Sequence, residues 1–221
     1  MGEAPLLNGE RAEVVRNAII EWYRRNGRAF PWRQSDDPFR ILIAEMLLRR
    51  TTATAVARIY PDFIQRFDSL ARLGRARKST IERALSTVGL QSVRAIHLQR
   101  MARTVLKEYD GKIPKNLAAL EALPGVGRYG AAAVMNFAFG ATQPMVDGNV
   151  VHLINRIFSL GVSDPTARMI WEFMKQFGGS QDKKLYWGII DIVATICFRK
   201  VPHCHDCPLS EYCDFYAANP K

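Results

Sequence analysis

No apolar run in this sequence reaches the roughly 18 residues that a membrane span needs. The nearest candidate, Ile41 to Leu48, is interrupted by Glu45. The N-terminal stretch has no basic segment followed by an apolar core, and it lacks the Ser or Thr of a myristoylation signal. Neither a signal peptide nor a lipid anchor is expected, and the expected compartment is the cytoplasm. Runs of β-branched residues with period-two alternation are also missing, which argues against a sheet. There is no internal repeat and no low-complexity segment. Acidic side chains are few: 21 Asp and Glu face 31 Lys and Arg, a formal net charge of +10. Apolar content of 48% with 24% charged residues is that of a globular chain, so the imbalance is carried on a folded surface. A compact basic protein points to a polyanionic partner, nucleic acid first, against the alternative of a generally basic solvated surface. A chain of 221 residues can bury a core as one large domain or two small ones.

Cysteine is scarce as well, and its four copies all fall within the last 25 residues, as Cys197-x6-Cys204-x2-Cys207-x5-Cys213. In a cytosolic setting, such clustering reads as metal or cluster ligation rather than disulfides. Zinc, with His203 and His205 as spare ligands, is the alternative to an iron–sulfur cluster. Zinc sites usually show paired C-x2-C elements, however, and only one short pair is present here.

What the chain does contain is helical periodicity. The spacing predicts a helix over 11–26, with Val14, Val15, Ala18, Ile19 and Trp22 on one face, after a frayed tail over residues 1–9. Phe30-Pro31-Trp32 reads as a linker that packs. Asp36-Asp37-Pro38 reads as the start of a helix that runs through the Ile41–Thr51 stretch. Helical patterning continues over 58–67, and Ser79-x-x-Glu82 reads as a capping box before another helix. Helices are further expected over 93–108, 114–122, 147–160, 165–177 and 184–197. The fold class expected is all-α, with about ten helices.

The stretch from Leu123 to Asn149 stands apart. Pro124, Gly125 and Gly127 bracket Val126 in a turn, an apolar-rich segment follows, and a loop broken at Pro144 delivers one carboxylate, Asp147. A glycine-rich turn opening a helix lets backbone amides approach a phosphate. Asp before Gly-Asn-Val can also be read simply as a helix N-cap, which is compatible with a chemical role, because a cap fixes the aim of the carboxylate.

These features together resemble the helix–hairpin–helix, Gly/Pro-loop and aspartate signature of the endonuclease III superfamily of DNA glycosylases. Leu-Pro-Gly-Val-Gly-Arg over 123–128, Val-Asp-Gly-Asn-Val over 146–150 and the 6-2-5 cysteine spacing carry the likeness, which spans roughly residues 15 to 215. The resemblance implies two helical domains with the active-site cleft between them. One is a six-helix domain over 32–140 that holds the hairpin. The other is a [4Fe-4S] cluster domain over 1–31 with 141–221, ligated by Cys197, Cys204, Cys207 and Cys213. It implies binding to double-stranded DNA through the amides of Gly125, Val126, Gly127 and Arg128, where relatives also often hold a monovalent cation. Arg199 and Lys200, in the first cysteine loop, would reach phosphates. Asp147 would be the catalytic aspartate, stabilising positive charge on the sugar and orienting water once the base is flipped out.

One departure is informative. Strand-cleaving relatives carry Lys after Leu-Pro-Gly-Val-Gly-Arg, and that amine forms a Schiff base with the sugar. Tyr129 stands there instead, and a phenol cannot form an imine. The implied enzyme is therefore monofunctional, leaving an abasic site in an intact strand. Tyr129 reads either as a packing aromatic or as part of the base pocket. Glu45, set among apolar residues, would hold a raised pKa as a general acid, or be a structural carboxylate. It places the chain on the mismatch branch of the superfamily, where relatives remove thymine and uracil from G·T and G·U pairs. The alternative on that branch is removal of adenine from A·G or A·8-oxoguanine, against which the chain stops shortly after Cys213. Arg50 would fill the gap left by the flipped base or contact the orphaned guanine. Leu90 or Gln91 would be the wedge. Asp191, among apolar residues, is expected to bond to a loop backbone. A monomer is expected, working on mismatched DNA in a prokaryotic cytoplasm and nucleoid, with no membrane partner.

Overall fold

The computed structural model describes residues 9–178 and 183–220, so the expected tail over 1–9 lies, but for Gly9, outside the described residues. Among the described residues the chain forms twelve α-helices and no strand, as the missing alternation predicts. In chain order these are α1 (Gly9–Asn26), α2 (Pro38–Leu48), α3 (Ala53–Arg66), α4 (Leu70–Arg75), α5 (Lys78–Ala84) and α6 (Gln91–Glu108). They continue as α7 (Leu117–Ala122), α8 (Gly127–Phe139), α9 (Gly148–Phe158), α10 (Arg168–Phe177), α11 (Lys184–Thr195) and α12 (Asp214–Ala218). The two helices that periodicity does not reveal, α4 and α12, are six and five residues long, too short to display a stripe. No described helix is long and apolar enough to cross a membrane.

The helix starts follow local chemistry. Asp37 caps α2 by accepting from the Phe39 amide at 2.9 Å, with Pro38 in the first turn, where its missing N–H costs nothing. Two expectations are corrected. The helix through Ile41 ends at Leu48, so Arg49, Arg50 and Thr51 leave it, and Arg50 takes φ of +54°. Ser79 and Glu82 do not form a capping box. α5 already starts at Lys78, which puts Ser79 inside its first turn, and Glu82 pairs with Lys78 at 3.4 Å.

By its contacts the chain divides into two compact units, Ala29–Ala141 and Met1–Arg28 with Thr142–Lys221. In the first, α2 packs on α8, whose Gly130, Ala131, Ala132 and Ala133 are all buried and small enough to let the helices approach closely. Leu42, Ile43, Leu47, Phe63, Leu73 and Leu98 fill its interior. The Phe30-Pro31-Trp32 linker packs as expected: the two rings stack at 4.9 Å and Trp32 meets Tyr60 edge-on.

In the second unit α1 lies on α11. Asp191, fully buried on α11, accepts from the Arg28 backbone amide at 2.8 Å and from its guanidinium at 2.7 and 2.8 Å. The expected bond to a loop backbone is present, reinforced by an ion pair. Replacing Asp191 with Ala strands the Arg28 guanidinium and amide, whose head is only partly exposed. We predict a loss of about 2 kcal/mol, read as a lowered urea midpoint, whereas Glu211→Ala on the surface leaves the midpoint in place.

Candidate active site and cysteine loop

The glycine turn closes on itself. The Val126 amide donates to the Leu123 carbonyl at 3.1 Å, and α8 begins at Gly127. Gly125 and Gly127 sit at φ of +83° and +71°, the left-handed region that a side chain resists. A Cβ at Gly125 would also lie 2.7 Å from the Cβ of His97, so glycine is required there on two counts. Arg49 reaches across from the end of α2 and donates to the Gly125 carbonyl at 2.5 Å. One expectation needs correcting: the Val126 amide is consumed by the turn and its side chain is buried, so it is not an anion donor. Among the described residues the amides of Gly125 and Gly127 have no intramolecular partner, and Gly127 and Arg128 are exposed at the N-terminus of α8, where an anion is favoured.

Because α2 lies on α8, Glu45 and Tyr129 come to line one cavity of about 60 Å³, together with Leu42, Met46, Arg49 and Val126. Both are half-buried rather than enclosed. Among the described residues no lysine lines this cavity. Beside it, a cavity of about 150 Å³ is lined by Arg50, Leu90, Val93, His97 and Gly125. Leu90 is 51% exposed at the tip of its turn, with φ of +49°, and Gln91 opens α6 with a half-buried side chain.

Asp147 belongs to the other unit. It caps α9: Oδ1 accepts from the Asn149 and Val150 amides at 2.9 and 2.8 Å, and Oδ2 accepts from the Asn149 side chain at 3.1 Å. Burial pushes its pKa up from the ordinary aspartate value. The hydrogen bonds from Val150 and Asn149, and the charge of Arg199, oppose that rise. The loop leading in is fixed by Tyr186, whose hydroxyl accepts from the Met145 amide at 3.1 Å and donates to the Gln143 carbonyl at 3.4 Å. Sequence reasoning missed Tyr186; a tyrosine in the otherwise apolar start of α11 was the available signal.

The cysteine loop runs along α9. Arg199 donates to the Gly148 carbonyl at 2.9 Å, next to Asp147. One turn on, the His152 Nε2 lies 2.9 Å from the Cys197 carbonyl. Another turn on, Arg156 donates to the Phe198 and Arg199 carbonyls at 2.9 and 3.0 Å and approaches the Cys197 Sγ at 3.3 Å. Lys200 is exposed. Cys197, Cys204, Cys207 and Cys213 line one small apolar cavity walled by Leu153, Ile157 and Leu209. Burial pushes the thiols of Cys197 and Cys213 up, and that of Cys207 to about 12, with neighbouring cysteines adding to the rise. Several thiolates would coexist in this cavity only around a positive centre. Among the described residues, no three His, Cys, Asp or Glu side chains are drawn together into a metal-holding group. His203 packs on Phe198 and His205 on Tyr216, and neither lines the cavity.

Comparison with known proteins bears on this arrangement. Residues 43–177 match the model of the HhH-GPD superfamily base excision DNA repair proteins. The thymine/uracil-DNA glycosylase of Methanothermobacter thermautotrophicus is 37% identical over 210 residues, covering 94% of this chain and 95% of that protein. The solved structure of a thermostable thymine-DNA glycosylase superposes with a TM-score of 0.89 at 36% identity, covering 95% of this chain and 98% of that one. The adenine DNA glycosylase of Buchnera aphidicola subsp. Baizongia pistaciae is 28% identical, and the aligned region covers 59% of its length.

A carboxylate whose pKa is raised is lost as pH falls through that raised value. Any activity that needs ionised Asp147 should therefore fall on an acid limb lying above the ordinary aspartate range of about 4. For stability the sign is opposite: folding then favours the protonated form, so this group's contribution weakens as pH rises through the same window. Arg199→Gln removes a cation that lowers the pKa. It should move the acid limb of the pH–rate profile to higher pH, measured under single-turnover conditions.

Proposed function

The chain belongs to the HhH-GPD superfamily of base excision DNA repair proteins, and we propose that within it this protein is a DNA N-glycosylase that removes thymine and uracil opposite guanine by attack of water. The observation that carries the reading is the cavity shared by Glu45 and Tyr129: it is lined by a phenol and a carboxylate and, among the described residues, by no lysine. With no amine there to attack the sugar, the glycosidic bond breaks toward water and the DNA strand stays whole.

Asp147 stabilises the positive charge that develops on the sugar as the base departs, and it orients or deprotonates the water that replaces the base. Its aim is set by the three hydrogen bonds that make it a helix cap. Glu45 faces the departing base, and Tyr129 shapes the pocket that receives it. Gly125, Gly127 and Arg128 hold phosphates at the start of α8. Arg199 and Lys200 add backbone contacts from the cysteine loop, and the excess of ten positive charges favours the duplex as partner. Arg50 and the Leu90–Gln91 turn occupy the space that the extruded base leaves.

The four cysteines are proposed to hold a [4Fe-4S] cluster, since four thiols face one apolar cavity and no histidine joins them. Bound there, the cluster supplies positive charge to the thiolates and stiffens the loop that α9 already grips. The hairpin carbonyls are the proposed seat for a monovalent cation; that of Leu123 accepts from the Val126 amide, and that of Gly125 already accepts from the Arg49 guanidinium, which a cation there would displace. The proposed working form is a monomer in the cytoplasm.

Excision is tested on duplexes carrying G·T, G·U, A·G and A·8-oxoguanine, with alkali added afterwards to reveal abasic sites. Release from G·T and G·U, reduced about a hundredfold or more by Asp147→Asn, is the expected result. Cutting of the adenine pairs alone would transfer the reading to adenine removal.

A further inference from the structure

We propose that Arg94 is the positioning residue of the DNA-probing edge, locking the Arg50 segment and the Leu90 turn in one fixed arrangement. Arg94 lies on the buried stripe of α6 with Ala95, Leu98, Met101, Ala102 and Val105, and it is 7% exposed. Its guanidinium serves two loops at once. Nη1 donates to the Leu47 and Met46 carbonyls at 2.5 and 3.3 Å, and Nη2 to the Arg49 carbonyl at 2.5 Å. These groups lie in the last turn of α2 and just beyond it, where carbonyls lack helical partners and a cation is favoured. On the other side Nε donates to the Gly89 carbonyl at 3.1 Å.

Two of the four anchored carbonyls, those of Arg49 and Gly89, are followed by a residue in a conformation that the chain resists. Arg50, after Arg49, has φ of +54°, and Leu90, after Gly89, has φ of +49°. A side chain in the left-handed region persists only where its surroundings over-determine it. Leu90 and Val93 are 51% and 52% exposed, and Arg50 is exposed with no hydrogen bond or ion pair among the described residues. Packing therefore does not hold these side chains in place; the fork of Arg94 fixes the backbone beneath them. A planar guanidinium with fixed donors can bridge two loops in this way, and a lysine ammonium on a flexible stem cannot reproduce the fork. The edge it fixes lines the same cavity as Gly125, so the wedge side chains are registered against the hairpin.

The inference rests on the reading of Arg50 and Leu90 as DNA contacts, so its test has one arm that needs no DNA. In the free full-length protein, Arg94→Lys should raise exchange of the hydrogen-bonded amides within 48–51 and 88–94 about tenfold, while the middle turns of α8 keep their protection. In single-turnover excision from a G·U duplex, Arg94→Lys and Leu90→Ala should each slow the reaction about tenfold. The double variant should be no slower than the slower single, because both changes disable one device. Unchanged exchange over the two segments overturns the proposal, as does protection lost evenly across the Ala29–Ala141 unit. So do slowings that multiply in the double variant. If the wild type leaves G·U untouched, the functional reading fails, and the exchange arm still decides the role of Arg94.

Discussion

A helix N-terminus needs an acceptor for its first amides, and the proposed chemistry needs a carboxylate that does not wander. Asp147 meets both needs with one side chain. Three hydrogen bonds from Asn149 and Val150 hold it, and α9 carries that constraint outward. The face of α9 marked by Gly148, His152 and Arg156, spaced one turn apart, binds the 197–199 segment: Gly148 accepts from the Arg199 side chain, and His152 and Arg156 bond to its backbone carbonyls. Tyr186 pins the loop before Asp147. Both the approach to the carboxylate and the helix behind it are therefore fixed by bonds within one compact unit. The cysteine loop is tied to the same helix, so anything that stiffens that loop also stiffens the cap.

The other unit is organised by cations on carbonyls. Arg49 holds the hairpin at Gly125, and Arg94 gathers the end of α2 and the turn before α6. Arg11 does similar work in the unit that holds Asp147, donating to the Ile157 and Tyr212 carbonyls and lying over the Phe158 ring. Part of the positive excess is therefore structural. A guanidinium buried against carbonyls contributes little to the binding of phosphates, and the field offered to DNA is weaker than a formal charge of +10 implies.

Much of this was legible in the sequence. The absence of alternation predicted an all-α chain, and the glycines at 125 and 127 marked a turn that requires positive φ. Asp147 before Gly-Asn-Val announced a cap. Other features were not legible for definite reasons. A helix of five or six residues has no period; α7 was legible only as part of the longer 114–122 stretch, and α4 and α12 had no such flank. The pattern through Leu48 carried no stop signal, because the Arg49 carbonyl just beyond the helix is taken by Arg94, which lies 45 residues away in sequence. The Ser79 box failed because motif spacing cannot tell a cap from a first turn. The pairing of Glu45 with Tyr129 in one cavity depends on the small residues of α8 that admit α2, and this is a property of packing. Arg94 did leave a trace: a charged residue on an otherwise apolar stripe.

Tyr129 stands where a lysine would attack the sugar, and the most direct test is to look for the covalent bond that a lysine would make. Wild-type protein is mixed with a G·U duplex under single-turnover conditions in the presence of borohydride, and the products are resolved on a denaturing gel. Base release with no stoichiometric protein–DNA adduct, and a strand that stays intact until alkali is added, are the expected results. An adduct trapped in step with base release, or a strand cut at neutral pH without alkali, would contradict attack by water.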